Sequence, residues 1–168
     1  MPARIILMSN EAAEEFDLVI VGTGSGNSIP GPEFDHWKIA IVERGLFGGT
    51  CLNVGCIPSK MFVYAADVAQ IVRAAGAYGI EAEVTGVNWP AIRDRVFGRI
   101  DPIVEGGESY RLGDECPNIT VIKGEGRLTG DRVLDVTSED GEVKRISGRH
   151  MVLGAGARPF VPPYPGIM

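Results

Sequence analysis

The 168-residue sequence is poor in the features that mark several protein classes. Its three cysteines are an odd number, too few for the disulfide framework of a small secreted domain. No apolar run approaches the ~18 residues of a membrane span. The stretch Ile5–Met8 is only four residues long and meets Glu11, Glu14 and Glu15 at once. A secretory signal needs an apolar region of about 7–15 residues and a small-residue cleavage site. Basic residues are outnumbered, 16 against 22 acidic, for a net charge of −6. That balance argues against nucleic acid or an anionic membrane as a partner. Internal repeats and low-complexity tracts are lacking too. The expectation is a cytoplasmic protein, in which a disulfide is more often catalytic than structural.

What is present is ordinary for a globular chain, with 45% hydrophobic and 23% charged residues. The length suits one domain. Glycine (23) and proline (11) are enriched, and no collagen-like period organises them. They point to turns and to close backbone approach to a ligand.

Residues 1–15 read as a disordered, acidic lead-in, with Glu11, Glu14 and Glu15 as a solvated face. Asp17–Val21 and Lys38–Val42 are short apolar runs, the pattern of buried parallel strands. The helix expected between them is short or distorted, because Pro30, Gly31 and Pro32 interrupt it. A second helix runs from Ile57 to about Ala75, apolar nearly all round and so expected to be mostly buried. Asn88 caps a third, with Pro90 in its first turn and Pro102 as a candidate kink. Its inner face reads as Ile92, Val96, Ile100 and Ile103. Short strands follow at 119–123, 127–129, 133–137 and 143–146, and a last one at 150–153. The order predicts an α/β, Rossmann-like three-layer domain with a central parallel sheet and a small antiparallel β-meander.

The first strand runs into Gly22-Thr23-Gly24-Ser25-Gly26-Asn27. Gly22 and Gly24 meet the first two positions of G-x-G-x-x-G, and Asn27 stands at the third. Gly22 permits the tight turn, and Gly24 lets backbone approach a pyrophosphate at a helix N-terminus. Glu43 ends the second strand 21 residues after Gly22, where a carboxylate accepts hydrogen bonds from ribose hydroxyls. A glycine-rich turn alone can be structural; two strands and Glu43 in register favour a nucleotide.

Gly48-Gly49-Thr50-Cys51-Leu52-Asn53-Val54-Gly55-Cys56-Ile57-Pro58-Ser59-Lys60 is the most informative stretch. Two cysteines five apart, the second opening a helix, are placed for a redox disulfide. A helix N-terminus lowers a nearby thiol's pKa, and Lys60 adds positive charge. The spacing is not the C-x-x-C of zinc sites, and only His36 and His150 exist to complete one, so no metal is expected. Two buried free cysteines are the bland alternative.

This stretch resembles the signature of the class I flavin disulfide reductases, the FAD-dependent pyridine nucleotide-disulfide oxidoreductases. The resemblance spans about residue 16 to the end. It includes Leu153-Gly154-Ala155-Gly156-Ala157-Arg158-Pro159, where Ala155 and Ala157 replace the family's Thr and Ser. Within the family, Gly22–Ser28 and Lys60–Ala69 are most similar to the mycothione-reducing branch. The resemblance implies a cytoplasmic reductase of a low-molecular-weight disulfide, mycothione, with FAD as cofactor and NADPH as hydride donor. The corresponding part of a lipoamide dehydrogenase or mercuric reductase is the nearest alternative. Cys56 would be the flavin-proximal cysteine, in charge-transfer contact with the oxidised flavin. Cys51 would be the interchange cysteine that attacks the substrate. Lys60 would sit near the reactive end of the flavin ring. Gly22, Gly24, Ser25, Gly26, Gly49, Thr50, Ala155 and Gly156 would line the FAD, Glu43 would hold the adenosine ribose, and Gly126 would meet the adenine through its backbone.

Family members also carry an NAD(P)H domain and a dimerisation domain, with a His-Glu pair given to the partner of a homodimer. No second glycine fingerprint or His-Pro…Glu pattern follows residue 60. The expectation is therefore residues 16–168 as the first FAD-binding segment, with the NADPH site outside this chain. A module that binds FAD or a nucleotide without turnover is the second reading. Cys116 reads as a bystander thiol, Trp37 and Trp89 as packing residues, and both histidines as structural or exposed.

Overall fold

The computed structural model describes residues 12–157 and 160–166. The elements are β1 (Glu14–Val21), β2 (Ile39–Glu43), α1 (Gly49–Asn53), α2 (Cys56–Ala74), α3 (Trp89–Leu112), β3 (Ile119–Lys123), β4 (Glu125–Gly130), β5 (Val133–Thr137) and β6 (Val143–Leu153). Six strands form one sheet in the order β3-β2-β1-β6-β5-β4. β1 lies parallel to both β2 and β6, and β2 is parallel to β3. β4, β5 and β6 pair antiparallel, completing the expected Rossmann-like α/β fold with its meander.

β1 and β2 are continuous apolar runs because both faces of the parallel sheet are covered. On one face Leu18, Ile20, Ile39 and Ile41 pack with Phe34, Trp37, Ile119 and Val152. Along the same face Val121 meets Phe47 and the inner side of α3, Val96, Ile100 and Val104. On the other face Val19, Ala40 and Val42 pack on Leu134, Val136 and Ile146 of the meander. Gly124 alone separates β3 from β4, although these strands are opposite edges of the sheet. The sheet therefore curls back on itself, and the meander becomes the third layer.

Several expectations need correction. β1 starts at Glu14, inside the residues read as lead-in. Glu14 pairs there with Lys38 and Lys144, both at 2.8 Å. Residues 1–11 of that lead-in lie outside the described residues. The strands read at 143–146 and 150–153 are one strand, because β6 first pairs with β5 and continues beside β1. α2 is not mostly buried: Pro58 is its one buried residue, and Tyr64 and Ile71 are 62% and 66% exposed. Its packing neighbours are α1, α3 and the turn after it, which cover one side of an all-round apolar helix. On α3, Val104 rather than Ile103 completes the inner face, while the helix continues through Pro102. The Asn88 cap forms as read, Oδ1 accepting from Ala91 N at 3.1 Å.

Candidate functional site

In an open α/β sheet, ligands bind in the crevice beyond the carboxyl ends of the strands. Here β1 and β2 end in Gly22 and Glu43, and a cleft of about 950 Å³ opens beside them. That is the upper part of the usual range for ligand pockets. Its walls are the loop Gly22–Gly26, Glu43 with Arg44, Gly49–Cys51 with Cys56, Gly124–Gly126, and Leu153–Ala157. Gly22, Gly24, Ser25, Gly26, Glu43, Gly49, Thr50, Cys51, Cys56, Gly126, Ala155 and Gly156 are thus brought to one cleft. Lys60 is not among its walls; it is exposed on α2, one turn after Cys56. Arg158 and Pro159 lie outside the described residues.

The glycines hold the walls together at backbone distance. Gly22 has φ +96°, and a Cβ there would stand 2.4 Å from the Gly154 carbonyl oxygen. Gly49 has φ +62°, and its Cβ would stand 2.6 Å from Gly24 Cα. Both positions therefore need a residue without a side chain. Gly26, which precedes the Asn27 of the third motif position, is the glycine packed closely on the sheet. A Cβ at Gly26 would meet Ile20 Cγ2 at 3.1 Å and Val152 Cγ1 at 3.7 Å. The helix after this loop is short and distorted, as expected, and has no α-helical turn. Ser25–Ser28 is a single 3-10 turn, and Pro32–Phe34 is another. Two prolines and Gly31 within three residues leave no room for an α-helix.

Glu43 is tied into the same framework. Its Oε2 accepts from Thr23 N at 2.9 Å and from Thr23 Oγ1 at 2.6 Å, and its Oε1 accepts from Gly45 N at 2.8 Å. Partial burial pushes the carboxyl up, but the hydrogen bonds from Thr23, Gly45 and Arg44 outweigh it and hold Glu43 below the ordinary glutamate value. The loop and the turn after β2 thus share one carboxylate, with two Thr23 donors on Oε2 and the Gly45 N–H on Oε1.

The cysteines occupy adjoining helices. Cys51 lies in α1, and Cys56 is the first residue of α2. Both are free and exposed. Asn53 fixes the turn between β2 and α1, its Nδ2 donating to Phe47 O at 2.8 Å and Gly49 O at 3.0 Å. The Cys51 thiol is raised above the ordinary cysteine value. The hydrogen bond with the Cys56 side chain is the main cause, because it favours the protonated thiol. Among the described residues no three His, Cys, Asp or Glu side chains gather as metal ligands, and no helix is long and apolar enough to cross a membrane.

Residues 16–168 match the family of pyridine nucleotide-disulphide oxidoreductases. The chain belongs to this family. It is similar to mycothione reductase of Mycobacterium tuberculosis H37Rv, 47% identical over 154 residues, covering 89% of this chain and 32% of the relative. Dihydrolipoyl dehydrogenase of Chlamydia pneumoniae is 31% identical, with 92% and 32% covered. Glutathione reductase of Burkholderia cepacia is 30% identical, with 90% and 32% covered. Among solved structures, the Cu(II) complex of the HOCl-induced flavoprotein disulfide reductase RclA from Escherichia coli superposes with a TM-score of 0.73 at 25% identity. It covers 91% of this chain and 31% of that one. The chain spans about a third of the length of the curated relatives it matches.

Some residues in and beside this cleft escaped sequence reasoning. Thr23 is fully buried and links three segments, yet it sits at a variable position of the glycine motif. A hydroxyl between two glycines was the available signal. Arg111 reaches back 84 residues to Asn27, a contact that no local pattern reveals. Cys116 is buried, its sulfur 3.5 Å from Arg111 Nη1. Trp37 packs as read, stacked on His150 with ring centroids 5.2 Å apart.

Proposed function

We propose that residues 16–168 are the FAD-binding, disulfide-bearing part of an NADPH-dependent reductase of mycothione. The observation that carries this reading is one cleft walled both by the glycine loop with Glu43 and by the Cys51–Cys56 pair. The identity of 47% to a mycothione reductase, against 31% and 30% to lipoyl and glutathione enzymes, supports the substrate choice. The residues present fit FAD. At Gly22 and Gly49 a Cβ would collide with the facing backbone, so the walls meet there backbone to backbone, as a close approach to a diphosphate requires.

In this reading Gly22, Gly24, Ser25 and Gly26 cradle the diphosphate, and the Glu43 carboxylate takes a ribose hydroxyl. Gly49, Thr50, Ala155 and Gly156 border the rest of the cofactor, and Gly126 borders the adenine. Lys60, four residues after Cys56 and so on the same side of α2, is assigned the flavin ring end. FAD, when bound, supplies a two-electron path from the nicotinamide to a Cys51–Cys56 disulfide. The Cys51 thiolate attacks one substrate sulfur, forming a mixed disulfide and releasing the first thiol. Cys56 then attacks the Cys51 sulfur, closes the Cys51–Cys56 disulfide and releases the second thiol. The two released thiolates each take up one proton.

Coverage of about a third of each relative favours a second reading, a chain that binds FAD without turnover by itself. The decisive experiment purifies the 168-residue chain, measures bound flavin, and assays NADPH-dependent reduction of mycothione, glutathione disulfide and lipoamide. Flavin binding without turnover supports the assignment. Failure to bind FAD overturns the module, and turnover by this chain alone overturns the placing of the NADPH site elsewhere. In the whole enzyme, Cys51→Ser should keep its flavin and lose disulfide reduction.

A further inference from the structure

Among the described residues Arg111 is the one buried charged side chain, and it makes no ion pair. A guanidinium taken out of water without a carboxylate must recover its hydration through hydrogen bonds. Arg111 makes three. Its Nε donates to Asn27 Oδ1 at 3.0 Å, its Nη2 to Asn27 O at 2.7 Å, and its Nη1 to Cys116 Sγ at 3.5 Å. Asn27 follows Gly26 directly, so the charge is anchored on the end of the loop that walls the cleft.

That loop lacks the support dinucleotide loops ordinarily have. An α-helix after the glycines holds the turn rigid and adds the positive end of its dipole. Here the turn is Ser25–Ser28, four residues closed by Asn27 N to Gly24 O and Ile29 N to Gly26 O. Nothing so short carries a useful dipole. Arg111 comes from the last turn of a 24-residue helix, α3, which is seated on the sheet through Val96, Ile100 and Val104.

We infer that Arg111 does both jobs of the missing helix: it pins the Gly24–Ser28 turn through Asn27 and sets a fixed positive charge beside the phosphate loop. The second job rests on the FAD reading above; the first does not. Arg111 is a positioning residue, since it acts through Asn27. The competing role is local, a cation balancing the carbonyl end of α3.

The test uses the 168-residue chain with Arg111→Gln, which loses charge and fork, and Arg111→Lys, which keeps the charge alone. Backbone hydrogen exchange is read without cofactor, and FAD affinity by flavin fluorescence. Both variants should exchange at least about tenfold faster at residues 24–29. Arg111→Gln should bind FAD at least about tenfold more weakly, and Arg111→Lys only about threefold. Unchanged exchange at 24–29, with any acceleration confined to 108–113, overturns the pinning and leaves the local role. Equal FAD affinities for the Lys and Gln variants overturn the electrostatic half. If wild type binds no FAD, the functional reading and the electrostatic half fail together, and exchange alone decides the pinning. Should Arg111→Gln not fold, Asn27→Ala removes one acceptor with Arg111 in place. It should still quicken exchange at 24–29, and an unchanged rate there overturns the pinning.

Discussion

Thr23 Oγ1 donates to Glu43 Oε2 at 2.6 Å and accepts from Gly48 N at 3.1 Å. One hydroxyl thus joins the glycine loop, the end of β2 and the turn that leads to the cysteines. Thr23→Val keeps the shape and removes the hydroxyl, leaving the Gly48 N–H unpaired and Glu43 with one donor fewer. The expected loss is about 1–3 kcal/mol of stability, with weaker FAD binding because both ends of the cleft lose their common tie. Thr23→Ser should stay close to wild type. Urea melts and flavin titrations of the three proteins decide it; a Val variant as stable as the Ser variant would dismiss the hydroxyl's role.

The glycines of the loop are not equivalent. Gly22 lies at φ +96° with its would-be Cβ 2.4 Å from Gly154 O, whereas a Cβ on Gly24 meets only Gly49 Cα at 3.8 Å. Gly22→Ala should cost about 1–3 kcal/mol through strain and collision. Gly24→Ala should leave the melting curve nearly unchanged and still reduce FAD affinity at least tenfold, because its methyl enters the space the phosphates need. Melting and binding measured on both variants separate scaffold from site. Gly24→Ala with undiminished FAD affinity would refute the phosphate cradle.

Legibility in the sequence follows the range of the physics involved. Val19-Ile20-Val21 and Ile39–Val42 declare themselves because a strand covered on both faces must be apolar throughout. Asn88 and Pro90 announce the start of α3 through local capping chemistry. The cleft residues are legible for the same reason, since close backbone approach admits only glycine. What stays hidden is set by tertiary contact. The exposure of Tyr64 and Ile71 depends on what packs beside α2. The bond from Arg111 to Asn27 depends on a docking angle, and the long β6 depends on one strand serving two neighbours.

Cys51 is held above the ordinary cysteine range by the Cys56 side chain first and by slight desolvation second. Removing that neighbour with Cys56→Ala should let Cys51 ionise at lower pH. In the fully reduced protein the alkylation of Cys51 should then rise at a lower pH than in wild type, followed by mass spectrometry. A Cys51 profile unmoved by Cys56→Ala would show that the Cys56 side chain is not what raises Cys51.

Acid should weaken the fold through carboxylates that the folded state holds in ionised form. Asp135 accepts two hydrogen bonds from Arg145, at 2.7 and 2.8 Å, and this pairing is the main cause of its lowered pKa. Glu14 is lowered by Lys144 and then Lys38, and Glu43 by hydrogen bonds that outweigh its burial. With the folded pKa below the unfolded one, the unfolded chain binds more protons in acid. The stabilisation is complete above the ordinary carboxylate value of about 4 and is lost as pH falls through the depressed folded values. Asp135→Asn should therefore lower the urea midpoint at neutral pH, while its gap to wild type should narrow at a pH well below 4, as the depressed folded pKa is passed and Asp135 itself becomes neutral. The Asp135–Arg145 pair joins neighbouring strands of the meander, so the effect should appear in the global transition. A gap that is the same at both pH values would mean that the substitution acts by packing and that the ion pair contributes nothing.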